Sequence, residues 1–71
     1  MTEVRVGDVR ENWINDVFVV TFISAHGSVD IIFKDGDCFN ISKQDLESTL
    51  LAHYDTWQEA IASKEFKGEN S

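Results

Sequence analysis

One thiol and two imidazoles, Cys38, His26 and His53, are the side chains of this chain best suited to nucleophilic or metal chemistry. Their spacing supports neither. Structural zinc sites announce themselves through paired ligands at short intervals, and these three fall in separate segments. Asp35 and Asp37 stand close to Cys38, and neighbouring carboxylates oppose formation of the thiolate, so Cys38 reads as a half-buried structural cysteine. A Cys-His hydrolase would also need an orienting group and a sheltered oxyanion pocket, which a body of 71 residues is too small to enclose. No catalytic residue, cofactor or metal ligand is therefore expected.

Asp30, Asp35 and Asp37 form a second group. The loop of alternating acids and the distant bidentate glutamate of a calcium site are absent, which leaves a solvated hairpin tip or an acidic docking patch. Trp13 and Trp57 form a third. Indoles dominate the apolar area available to a small domain, so both are expected to pack, Trp13 and Ile14 by folding back onto apolar surface. Exposed instead, Trp13 would be the best anchor for a partner. The residues assigned to partner binding are thus Trp13, Asp30, Asp35 and Asp37.

Thirteen acidic residues against six basic ones give a net charge of −7. Such a field repels phosphate backbones and makes direct nucleic-acid binding unfavourable. It serves solubility, or it imitates nucleic acid in the groove of a basic protein. A single cysteine permits no internal disulfide. The opening MTEVRVGDVRE lacks an apolar stretch of signal-peptide length, and no run approaches a membrane span. The expectation is one soluble, cytoplasmic domain over residues 1–67, a frayed tail over 68–71, and neither a membrane nor a small-molecule substrate as partner.

The elements that must position these residues are mostly strands. DVFVVTFIS, SVDIIFK and DCFNI follow one another with breaks at His26-Gly27 and Asp35-Gly36, the pattern of an antiparallel meander. Val4, Val6 and Val9 alternate loosely around Gly7, which marks a bend or bulge at the start of the sheet. In the next segment Phe18, Val20 and Phe22 point one way and Val17, Val19, Thr21 and Ile23 the other. Both faces are apolar, so both must be covered, as in a small barrel with a helix packed outside it. Val29, Ile31 and Phe33 oppose Asp30, Ile32 and Lys34, with the second set facing water. Asp35-Gly36 suits a two-residue type I′ turn. A strand over Asp37 to Ile41 then turns Phe39 and Ile41 inward and Cys38 and Asn40 outward.

Ser42 stands as an N-cap for a turn or two of helix over KQDLE, with Asp45 near the positive end of its dipole. Beyond it, Leu46, Leu50, Tyr54, Trp57 and Ile61 fit one long amphipathic helix, while the alternative makes LLAHY a closing strand and begins a helix at Thr56. Thr56 and Glu59 match a capping box, which favours the break. Trp57, Ala60, Ile61 and Phe66 then form the packing stripe, and Gly68 ends the helix.

VGDV, VFVVTFI, the Asp-Gly hairpin and ISKQDL together resemble SH3-like small barrels, in which a short helical turn precedes the last strand. The tail LLAHYDTWQEAIASKEF is similar to the ending of accessory proteins encoded by phages and prophages of Gram-positive bacteria, where a Tyr-x-Thr-Trp-Gln-Glu-Ala segment recurs. The resemblance implies a mainly β fold, an SH3-like antiparallel barrel or strongly bent sheet of four to five strands with a short C-terminal helix. It transfers no catalytic residue. The acidic and aromatic loop pattern with which SH3 domains hold proline-rich peptides is missing. The implied function is a non-enzymatic protein-interaction module, its partner another protein or a second copy of the chain. The alternative is an acidic nucleic-acid mimic that inhibits a host DNA- or RNA-binding protein.

Overall fold

A computed structural model describes residues 3–68 of the chain. Strands β1 (Asp8–Glu11), β2 (Val17–Ile23), β3 (Ser28–Phe33), β4 (Cys38–Ser42) and β5 (Thr49–His53) form one antiparallel sheet in the order β4-β3-β2-β1-β5. A single 3-10 turn over Lys43–Asp45 separates β4 from β5, and two short helices follow, α1 (Trp57–Ile61) and α2 (Lys64–Lys67). The sheet is open, with β4 and β5 as its edges. The closing strand over LLAHY is present, and the single long helix is not.

The apolar faces of β2 explain the architecture. Phe18 and Val20 join Val4, Val29 and Ile31 in a buried cluster on one face. Val19 joins Val9, Ala60 and Phe66 in a second cluster on the other face, where the helices lie. Each fully buried Val or Phe contributes roughly 1.5–3 kcal/mol through removal from water, so a two-sided strand left bare on either side would forfeit much of the stability of a small domain. The helices are the cover that β2 demands. They also cover Ile32, so the outer face of β3 is only partly wet.

Alternation along β2 breaks at Thr21. The register runs Val20 to Ile31 and then Phe22 to Asp30, which leaves Thr21 as the extra residue of a bulge. Its hydroxyl donates to the Asp30 carbonyl at 3.2 Å. Because one added residue reverses the facing of everything after it, Ile23 packs with the Phe18 cluster and Phe22 is turned to solvent, 57% exposed. That corrects the inward assignment of Phe22.

All three hairpins use the same loop. In Asn12–Asp16, Ser24–Ser28 and Phe33–Asp37 the fourth residue donates its N–H to the first carbonyl, and the first N–H donates to the fifth carbonyl. The fourth residues, Asn15, Gly27 and Gly36, have positive φ. Asp35 does not, so the Asp35-Gly36 connection is a type I turn closed by a left-handed residue rather than the expected I′ turn.

Gly7 is required for a different reason. Its φ is +95°, and a Cβ placed there would lie 2.1 Å from the Tyr54 carbonyl oxygen. Its N–H donates to the Val20 carbonyl and its carbonyl accepts from Tyr54 N–H, both at 3.0 Å, so it ties β2 to the end of β5.

At the C-terminal end Thr56 caps α1 by accepting from Glu59 N–H, as its capping box predicts. The expected single helix is instead divided. Ser63 donates its hydroxyl to the Ala60 carbonyl and accepts from Phe66 N–H, ending α1 and capping α2 with one side chain. The turn lets Phe66 reach the cluster that holds Ala60. Gly68, left-handed at φ 74°, closes α2, and the tail expected to fray beyond it falls outside the described residues. Ser42 occupies the cap position of the 3-10 turn, but its side chain makes no capping hydrogen bond.

Candidate functional site

Two arrangements have the makings of a site, one polar and inside, the other apolar and outside. The inner one starts from β1. Asp8 and Arg10 lie two apart on a strand and so share a face, that of Phe18, where Asp8 is fully buried and Arg10 nearly so. One Asp8 oxygen accepts from Arg10 Nη1 at 3.0 Å and from the Arg5 backbone N–H at 2.9 Å. The other lies 2.6 Å from His53 Nδ1 on β5. Arg10 continues outward, donating from Nε to the Ser48 hydroxyl at 2.7 Å and from Nη2 to the Ser48 carbonyl at 3.4 Å.

A carboxylate oriented on an imidazole is one half of a hydrolytic triad. Among the described residues, however, no hydroxyl or thiol hydrogen-bonds to His53, so the half has no nucleophile. What the network does is mechanical. It ties the Arg5–Asp8 turn, β1, β5 and the Ser48 linker to one carboxylate, with no buried side-chain polar atom left unsatisfied among the described residues.

A smaller surface pair joins β5 to α2. Tyr54 donates its hydroxyl to Glu65, and this hydrogen bond is the main reason the phenol's pKa is raised and the Glu65 carboxyl's is lowered.

The outer arrangement starts from Trp13. Asn12 accepts through Oδ1 from Ile14 N–H at 3.1 Å and Asp16 N–H at 2.9 Å, and its backbone closes the loop. The loop is therefore fixed by residues other than Trp13. Trp13 is 83% exposed and Ile14 52%, which corrects the expectation that they fold back onto the body.

Beside them an aromatic series runs from core to surface. Phe18 meets Phe33 edge-to-face at 5.6 Å, and Phe33 meets Phe39 in the same way at 5.4 Å. Phe39 shares the face of Ile41, as expected, but at the open sheet edge it stays 51% exposed rather than buried. Ile14, Val17, Phe33, Phe39 and Ile41 line an open cleft whose charged residues are Asp16, Asp35, Asp37 and Lys34. Trp13 stands at a second opening that shares Phe33 and Ile41 with the first and bears Asp45 and Glu47.

The residues assigned from sequence to partner binding are thus only partly together. Asp35 and Asp37 line the cleft and Trp13 flanks it. Asp30 does not belong to it: it alternates with Val29 and Ile31 and so lies on the opposite face of the sheet from Phe39 and Ile41, paired with the Asn40 amide at 2.6 Å. Cys38 is exposed, not half-buried, its thiol 3.7 Å from the Gly36 carbonyl. Among the described residues no three His, Cys, Asp or Glu side chains are grouped to hold a metal ion.

Comparison with protein-family models, with curated proteins and with solved structures finds no match to this chain. Nor is any helix among the described residues long and apolar enough to cross a membrane.

Sequence reasoning missed the inner network. Its signal was the alternation Asp8-Val9-Arg10 on a strand, which places both charges on one face opposite Val9.

Proposed function

We propose that this chain is a non-enzymatic protein-interaction module of the phage or prophage accessory kind, with its partner surface at the Trp13 end of the sheet. The accessory origin rests on the sequence resemblance of the tail. The interaction reading rests above all on Trp13, an indole 83% exposed on a loop that Asn12 fixes without its help. An exposed indole wets a large apolar area, and a fixed loop removes most of the ordering cost of using it in a complex. Ile14 and Phe39 extend the apolar area, each more than half exposed. Solubility gives no reason for such a grouping.

The test is capture of partners by the immobilised chain from a nuclease-treated lysate of a Gram-positive host, compared across variants and salt steps. Trp13→Ala should weaken capture by roughly 30-fold, the scale of an interface hot spot, while Asp30→Lys, outside the cleft, should leave it unchanged. The principal partner should stay bound at salt concentrations that screen exposed charge pairs. The competing acidic mimic predicts the reverse. A basic nucleic-acid-binding protein, released at low salt, would be lost on reversing Asp30, Asp35 and Asp37 together and retained by Trp13→Ala.

A further inference from the structure

Strand β4 is an edge with nothing on its outer side. At one end of the β3–β4 pair Phe33 N–H donates to the Asp37 carbonyl at 2.8 Å, and at the other Lys43 N–H donates to the Gly27 carbonyl at 2.7 Å. Antiparallel pairing alternates, so Phe39 and Ile41 bond inward to Ile31 and Val29. The backbone groups of Cys38, Asn40 and Ser42 then point away from the sheet, and none has a backbone partner among the described residues. The strand carries neither lysine nor proline, the residues that commonly block an open edge.

We propose that the β4 edge takes up an extended, basic segment of a partner protein as an added strand, with Phe39 and Trp13 holding its apolar side chains. This rests on the interaction reading given above and names the partner's chemistry. Three observations carry it. The free edge supplies the backbone donors and acceptors that strand addition uses, spaced every second residue. Phe39 and Ile41 of β4 line the cleft, whereas the other edge strand, β5, contributes no residue to it. The charge around both openings is one-sided, with Asp16, Asp35, Asp37, Asp45 and Glu47 against Lys34 alone. A second copy of this chain would bring the same acids face to face at a net charge of −7 each, and a nucleic acid would be repelled outright. A strand alternating lysine or arginine with apolar residues satisfies the edge, the aromatics and the acids at once.

The experiment selects binders from a displayed library of random linear peptides long enough to span β4. The enriched sequences are then synthesised and titrated against the wild-type chain and its variants. Enriched peptides should alternate basic and apolar residues. Asn40→Pro removes an outward N–H without touching a backbone β3–β4 bond, and because Asn40→Ala already loses the side-chain bond to Asp30, the proline should weaken binding about ten-fold beyond the alanine, with the fold retained by circular dichroism. Reversal of Asp35 and Asp37 should weaken it by several-fold more.

Peptides that need Trp13 but carry no excess of Lys or Arg, or that tolerate Asn40→Pro, would overturn the strand-addition inference and leave the interaction reading standing. Peptides indifferent to both Trp13→Ala and Asn40→Pro would remove both. A selection that enriches no binder overturns the inference, as does a concentration-dependent dimer abolished by Asn40→Pro, which would make the occupant a second copy.

Discussion

Strand β1 and the loop after it treat their side chains in opposite ways. On the strand Asp8 and Arg10 are charges taken out of water, and among the described residues no buried side-chain polar atom is left without a partner. Just past its end Trp13 and Ile14 are apolar groups left largely in water, the indole almost wholly so. Burying a charge and exposing an indole are both costly, but only the first cost is repaid inside the molecule. The inner network therefore reads as structure, and the outer cleft is the surface proposed for a partner.

Removing Asp8 should break that comparison most severely. Asp8→Ala leaves the Arg10 guanidinium buried without its carboxylate, and such a change costs about 3–5 kcal/mol, a large share of what a domain this size has. Urea unfolding should show the midpoint collapsing. Replacing Asp8 and Arg10 together by apolar residues of similar volume should cost far less, because no orphaned charge remains. If the single and double changes cost the same, the network is not held by charge pairing.

Gly7→Ala comes next. Its Cβ would meet the Tyr54 carbonyl at 2.1 Å in a backbone conformation with φ +95°. The expected loss is on the order of 3 kcal/mol, read by thermal unfolding, with the β2 and β5 amides nearest Gly7 losing hydrogen-exchange protection first.

A smaller effect separates the Tyr54–Glu65 pair from the rest. Glu65 has its pKa lowered in the fold, so its contribution is present above its ordinary value of 4.5 and is lost as pH falls through the folded value. Tyr54 has its pKa raised, so its contribution is present below 10.0 and is lost as pH rises through the folded value. Tyr54→Phe should flatten both limbs of the stability profile. Both groups sit near the surface, so the change should be slight beside that of Asp8→Ala.

The fold was legible where one residue's neighbours decide its state. The two-sided β2, the glycine breaks and the Thr56–Glu59 capping box are local signals, and the strands and α1 follow from them. The errors came where tertiary contacts intervened. The bulge at Thr21 is set by the partner strand β3 and reverses Phe22, a change no alternation count along β2 alone reveals. Asp35 and Gly36 satisfy two turn types equally well in sequence, and the backbone chose the longer loop. Ser63 divides the helix because Phe66 must reach the Ala60 cluster. Trp13 was recognised as the candidate anchor, but its exposure depends on Asn12 closing the loop beneath it. Asp30 is near Asp35 and Asp37 in sequence, but its place on β3 turns it to the opposite face of the sheet, beside Asn40.

The most direct measurement pairs the unfolding free energy of Trp13→Ala with its affinity for a captured or selected partner. The account predicts stability within about 0.5 kcal/mol of wild type, as for a surface side chain that supports nothing, together with loss of most binding. Equal loss of stability and binding would make Trp13 a structural residue. Unchanged binding would place the partner surface elsewhere.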